Sequence, residues 1–398
     1  MTEDLITGAE HWRRIRRLLN EHRLELAAMA AGLYPDLPRV AGTDLLCWPG
    51  WLPATPLDLA DLRLGWISAP PPPAADGTGE AVAHVLPGSA AGLAYPTYAA
   101  AIEALDRPAL FENRICYRLL DAELGGAELG AADAASPPRL RFGPSRYFDA
   151  VNLGHAVAHE LTAARASPGT PPDWADLDWA DLPLRASVGD PCALPRRSAL
   201  TAVTTLTLRR APGGAASFLL HWRDPARVNH AGGLYQVMPA GIFQPVSAAR
   251  AARRHDLSLW RCMTREFSEE LLGGSEEYPT RGGRLDYGQW PFHRELAAVR
   301  EAGTLRVSCL GLGVDPLTLA TDILTVAVFE AGVFDRMFRG LVTENAEGRV
   351  VTQDGSAAIP FTQATVDRFT SRAEPLQTAG AALLRLAWQH RGVLGISG

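Results

Sequence analysis

Residues 257–272 restrict the fold of this chain more than any other stretch. Trp260, Met263, Phe267 and Leu271 fall at i, i+3, i+7 and i+11, the spacing that lines apolar side chains along one face of an α-helix. Asp256 or Ser258 stands where a helix N-terminus needs a side-chain acceptor, and Gly273-Gly274 stands where the chain must leave the helix. The pattern predicts a helix over 257–272 with one buried face. Beside the stripe lie Glu266, Glu269 and Glu270. Glu266 and Glu270 are one turn apart, Glu269 flanks them, and carboxylates this close repel one another unless water or a cation screens them. From the helix alone two readings stay open. One is a solvated glutamate-rich face. The other is a set of oxygen ligands for a hard divalent ion such as Mg2+, which keeps waters and bridges to phosphate groups.

The surroundings of this helix read as sheet. Val203, Leu206 and Leu208 lie in a Thr-rich run of high β propensity, Ala211-Pro212-Gly213-Gly214 makes a turn, and 218–222 returns, so a β-hairpin is expected. A short strand over 234–238, a turn at Pro239-Ala240-Gly241 and a long loop lead into the helix. Beyond it, 304–310 and 323–329 read as strands, and 331–341, 362–369 and 376–389 as helices.

In this setting Arg265-Glu266-Phe267-Ser268-Glu269-Glu270 resembles the core of the Nudix box, with Phe267 at the aliphatic place, and Tyr235–Gln244 resembles the strand and glycine turn that precede the box. The resemblance covers roughly residues 199–345. It implies an α/β (α+β) fold, a Nudix-like α/β/α sandwich with a mixed sheet, carrying an N-terminal helical and α/β extension. It further implies Mg2+ or Mn2+ on Glu266, Glu269 and Glu270, Arg265 as a box residue beside them, and attack of metal-activated water on a phosphoanhydride of a nucleoside-diphosphate-linked substrate. Gly241, Tyr235 and Arg223 are the candidate substrate-binding residues, and Arg227 and His230 lie near the same turn. The chain departs from the family at several places. Ala240 replaces the first turn glycine, Ser247 and Gln244 stand where loop glutamates are usual, 242–264 is longer than the family spacing, and Gly273 arrives one residue late. Arg265 thereby lacks its usual acidic partner, a place Asp256 is able to fill.

The N-terminal half is less explicit. Residues 8–33 read as one amphipathic helix carrying Arg13, Arg14, Arg16, Arg17 and Arg23, read here as a docking helix with a solvated basic face rather than a nucleic-acid reader. Residues 41–66 read as extended, Ser68–Glu80 with its Pro70–Pro73 run as a linker, and 125–138 and 167–172 as further linkers. Between them, 98–105 is an expected helix, 114–120 and 140–142 expected strands, and a helix capped by Asp149 or Asn152 runs to about 164. His155 and His159 sit one turn apart on it, a spacing that suits two metal ligands, although neighbours Ala156 and Ala158 break the usual zinc motifs. Satisfied core histidines are the plainer reading. Gly311-Leu312-Gly313 lacks the third glycine of a dinucleotide fingerprint and reads as a turn. The expected division is 1–67, 81–190 and 199–398.

Composition narrows the function classes. A net charge of −6 supplies no global field for nucleic acid or an anionic membrane. No apolar run is long enough to span a bilayer. Cys47, Cys116, Cys192, Cys262 and Cys309 are dispersed and form no pair at metal-ligand spacing, so free thiols in a reducing, cytoplasmic setting are expected. The expected partner is a nucleotide-like small molecule. Three functions follow: a metal-dependent hydrolase, a nucleotide sensor that has kept the site without the turnover, or a scaffold. The chain as a whole, including Trp12-Arg13-Arg14 and His221–Pro225, resembles a group of actinobacterial proteins described as transcriptional regulators, which suits the second.

Overall fold

A computed structural model describes residues 2–87, 95–125, 137–165, 178–224, 232–275, 278–342, 344, 348–350, 358–371 and 373–397. The third expected linker, Arg227 and His230 lie outside them. The chain opens with α1 (Thr2–Glu21) and α2 (Arg23–Gly32), then β1 (Leu57–Asp58), β2 (Arg63–Trp66), α3 (Tyr98–Leu105), β3 (Ile115–Glu123), β4 (Arg139–Arg146), α4 (Tyr147–Arg165) and α5 (Pro183–Val188). The second half holds β5 (Thr201–Arg210), β6 (Ala216–Phe218), β7 (Leu220–Arg223), β8 (Tyr235–Val237), β9 (Ala240–Ile242), α6 (Arg250–His255) and α7 (Leu259–Glu266). There follow β10 (Thr280–Arg281), β11 (Arg284–Leu285), α8 (Pro291–Glu301), β12 (Leu305–Val314), β13 (Thr321–Glu330), α9 (Ala331–Met337), β14 (Gly348–Val350), β15 (Ile359–Pro360), α10 (Gln363–Phe369) and α11 (Thr378–Gln389).

The fold is mixed α/β, as the strand and helix patterns imply. The main sheet has the order β1-β12-β13-β5-β6-β15, with β9 on β5. It is a mixed sheet: β12 and β13 are antiparallel, whereas β13 runs parallel to β5 from Thr321↔Thr201 to Glu330↔Arg210. The expected hairpin is β5–β6, closed by a turn in which the Gly214 amide donates to the Ala211 carbonyl. The 239–241 segment is not the expected turn. Ala240–Ile242 pairs antiparallel with Ala202–Thr204, because β5 is long enough to take β9 beside its first half and β6 beside its last residues.

The N-terminal half is built into this sheet. β1 adds to the outer edge of β12, and Leu46 bridges Val314. Gly311 and Gly313 serve that approach: a Cβ at Gly311 would meet Leu52, and one at Gly313 would meet Leu45. They are neither a phosphate cradle nor a turn, but a bulged strand pressed against 45–52. One apolar cluster joins Leu45, Trp51, Tyr117 and Phe142 to Val203, Phe243, Phe267, Leu312, Phe329 and Leu383. The Pro70–Pro73 stretch is pinned, since Arg118 donates to the Pro71 carbonyl at 3.1 Å and the Ala75 amide to the Arg196 carbonyl at 2.8 Å.

The single helix expected over 8–33 is two, broken at His22. Its basic face is solvated only in part. Arg14 and Arg17 are exposed, but Arg16 is buried against Asp106 at 2.7 Å and Arg23 against Asp315 at 3.4 Å. The break lets α2 turn Arg23 inward to that carboxylate. No helix among the described residues is long and apolar enough to cross a membrane. All five cysteines are free and buried.

Candidate functional site

The acidic helix begins where Ser258 accepts the Arg261 amide. Asp256 is not the cap. It ends α6, which occupies part of the expected long loop, and is fully buried. Its Oδ2 accepts the Val246 amide at 2.8 Å and its Oδ1 accepts the Tyr287 hydroxyl at 3.0 Å. Tyr287 in turn accepts a hydrogen bond from Arg265, whose other terminal nitrogen donates to the Gln244 carbonyl at 2.6 Å. Asp256 therefore balances Arg265 through a tyrosine hydroxyl. Burial works against the Arg265 charge, yet Cys262, Tyr287, Asp256 and Glu266 around it raise its pKa above the ordinary arginine value. Burial pushes Tyr287 upward as well, against the pull of Arg265.

After Glu266 the helix widens into a π turn, Phe267–Leu271. A π turn bonds i to i+5 and so accommodates one more residue than an α turn. That extra residue is the one by which Gly273 comes late, and Gly273 closes the helix at φ 67. Each acid meets a different neighbour. Glu270 reaches the free edge of β9 and accepts the Ala240 amide at 2.9 Å. Half-buried Glu269 accepts the Tyr278 hydroxyl at 2.6 Å. Burial first, and then the Glu269 charge, push Tyr278 well above the ordinary phenol value. Glu266 is packed so closely on Gly241 that a Cβ there would fall on its carboxylate. Glycine at 241 makes room for this acid.

A cavity of about 270 Å³ lies on the other side of β9. Side chains alternate across a strand, and the register sets Ala202, Thr204, Ala240 and Ile242 on one face, Val203 and Gly241 on the other. The acidic helix takes the second face, where Phe267 packs edge-on to Phe329 at 5.7 Å between ring centres. The cavity takes the first. Residues 110–114 and the early part of α4 form its outer wall, and the start of β13 with Gln377 completes its floor. Gly241 and Arg223 line it; Glu266, Glu269 and Glu270 do not. Tyr235 is placed beside it as a fastener. Its backbone bonds to residues 375 and 377, and its ring packs edge-on to Trp222 and Phe369.

Asp322 was not singled out by the sequence reading. It lies on the cavity face opposite Ala202, more than nine-tenths buried, and accepts the Thr204 hydroxyl at 2.6 Å. Burial drives its pKa up to about 7, the Thr204 hydrogen bond opposes this, and the Asp315 charge adds to it. An acid near the start of a mostly apolar strand was the available signal. His155 and His159 are core residues: His159 shares a hydrogen bond with Tyr98 at 2.9 Å and stacks on Trp12. Burial, then the Arg16 charge, lower both to about 3. Glu160 accepts the Leu184 and Arg185 amides, tying α4 to α5.

Among the described residues no group of three or more His, Cys, Asp or Glu side chains converges closely enough to hold a metal ion. Mg2+ and Mn2+ need several oxygens around one point. Here Glu270 is held by a backbone amide, Glu269 by a tyrosine and Glu266 by close packing on Gly241. The donor types suit such an ion, but their arrangement does not.

Among solved structures the chain is similar to a Nudix hydrolase from M. smegmatis, RenU, at 15% sequence identity, over 50% of this chain and 90% of that one, with a TM-score of 0.22. No family model matches the chain, and no curated protein does. At that TM-score the likeness bears no weight for the chemistry, which stands on the residues described.

Proposed function

We propose that this protein binds a nucleotide-like small molecule in the cavity over β5, β9 and β13 and acts as a sensor rather than by turnover. One observation carries the reading: the acids pack on the reverse side of β9 while a partly polar cleft lies on its front. A concave cleft of mixed lining is what a small ligand requires. Phe111 and Tyr147 provide aromatic surface for a flat group, and Arg223 places a guanidinium in the lining for an anionic one. The carboxylates serve the protein itself, with Glu270 covering a strand edge that would otherwise offer an unpaired amide. The regulator role agrees with the resemblance of the whole chain.

The hydrolase reading retains one feature in its favour, the Arg265–Glu270 order with Glu269 still half-exposed. A single experiment separates the two. The purified chain is titrated with nucleoside mono-, di- and triphosphates and nucleotide sugars, and phosphate release is followed with Mg2+ or Mn2+. Stabilisation by a nucleotide without turnover is the expected result. Metal-dependent turnover that disappears in Glu269→Gln/Glu270→Gln would replace the sensor with a hydrolase.

A further inference from the structure

The cavity floor holds a carboxyl group that the fold does not use fully. Asp322 Oδ1 accepts the Thr204 hydroxyl, and among the described residues Oδ2 has no hydrogen bond. A carboxylate has roughly four acceptor positions, so a single bond leaves most of its capacity unspent on the cavity side. Donors for the remaining positions come from whatever fills the cavity. The backbone on both sides is committed to the sheet, since Asp322 pairs with Ala202 on β5 and with Gly313 on β12. The open side is the cavity.

We infer that Asp322 is the recognition group of this cavity, and that the ligand carries a base presenting a ring N–H beside an exocyclic amine, the edge that guanine offers. This rests on the binding reading above. Two neighbouring N–H donors span the two carboxylate oxygens, the arrangement that gives charged hydrogen bonds both strength and direction. A base that turns a carbonyl and a bare ring nitrogen to the same oxygens sets acceptor against acceptor and is rejected. Thr204 holds the carboxyl in plane by occupying one side of Oδ1. Phe111 and Tyr147 line the same cavity, and Arg223 supplies the positive charge that suits a phosphate.

The charged and titratable groups around Asp322 are Asp315 with its partner Arg23, and, in the cavity lining, Arg223, Arg197, His155, Tyr147 and the Arg114–Glu112 pair. His155, lowered to about 3 by burial and by Arg16 and Arg23, stays neutral at neutral pH. Burial lowers Arg197 to about 10, which leaves it charged at neutral pH. Burial raises Asp322 to about 7, so it titrates near neutral pH. Two N–H donors favour its ionised form, so a guanine-type ligand expels a proton as it binds.

Calorimetric titration of the full chain with GMP, AMP and UMP, in two buffers of different ionisation enthalpy at pH 7, tests this directly. GMP is expected to bind tightest and to release a fraction of a proton. Asp322→Asn, which keeps the shape but turns an amide donor toward the base, is expected to weaken GMP by about tenfold to a hundredfold and to bind AMP at least as well as the wild type does, because an amide matches adenine's bare ring nitrogen and exocyclic amine. Equal GMP affinity in both proteins, or a preference of the wild type for AMP or UMP, overturns the role of Asp322 and leaves the binding reading standing. Failure of every nucleotide to bind overturns both. Should the variant melt early, the wild-type proton count decides: GMP binding with no proton release overturns the inference.

Discussion

Replacing Asp256 with Asn strikes the point where the Arg265 charge is balanced. Both Asp256 oxygens are in use, one by the Val246 amide and one by the Tyr287 hydroxyl. Asn keeps an acceptor for one of these donors, turns an NH2 group against the other and removes the negative charge. A hydrogen bond to a charged group is worth about 1.5–3 kcal/mol, and stripping one partner from a buried ion pair costs about 3–5 kcal/mol. Arg265 keeps its bond to the Gln244 carbonyl and meets Asp256 only through Tyr287, so the lower end applies, about 3 kcal/mol. Arg265→Met removes the other end of the same chain of contacts and should cost about as much. Because both changes break one network, the double variant should be destabilised by about 1–3 kcal/mol less than the sum of the two. Urea unfolding followed by tryptophan fluorescence reads all four corners of the cycle. Penalties that add to within about 0.5 kcal/mol would refute the coupling, and with it the claim that Asp256 stands in for the missing acidic partner of Arg265.

Gly241→Ala should destabilise by about 1–3 kcal/mol, the usual cost of overpacking, and Glu266→Ala in the same chain should recover most of it, because the added methyl falls on the Glu266 carboxylate; the same urea melts measure both. The depressed imidazoles of His155 and His159 make the fold acid-sensitive. The unfolded chain takes protons near 6.5 that the folded chain refuses until about 3, so their contribution is complete above 6.5 and drains away as pH falls. His155→Gln/His159→Gln should therefore flatten the acid limb of a melting-temperature profile. Asp322 acts in the opposite sense. Its folded form holds a proton up to about 7 that the unfolded form sheds near 3.8, so it costs stability as pH rises through that window, and Asp322→Asn should gain on the wild type between pH 4 and 7.

Local pattern was enough where a contact is local. The stripe Trp260, Met263, Phe267 and Leu271 marked the acidic helix, Ser258 its start and Gly273 its end, and the Thr-rich run marked β5. The order of Glu266, Glu269 and Glu270 was equally plain, but their positions in space were not. The π turn that carries Glu269 and Glu270 takes one residue more than an α turn, and helical spacing alone does not reveal it. Tyr287 lies 22 residues beyond Arg265, in a stretch with no periodic signal, so no spacing rule joins the two to Asp256. The cavity is further out of reach of sequence. Phe111, His155, Thr204, Asp322 and Gln377 come from five separate segments, and only the assembled sheet brings them to one face.

The seating of β1 on β12 has a consequence for how this chain is made. Leu57 pairs with Cys309, and Leu46 with Val314, so the earliest segment waits for partners about 250 residues further along, a delay on the order of tens of seconds at usual synthesis rates. During that interval Leu45, Leu46 and Trp51 have no sheet to cover them, and the nascent chain carries a sticky leading segment that a holding chaperone would recognise. A fragment begun at residue 199 meets the converse problem. Its β12 would present an uncovered strand edge with a glycine-lined hollow beside it, a template for self-association, and it should elute as aggregates where the whole chain does not.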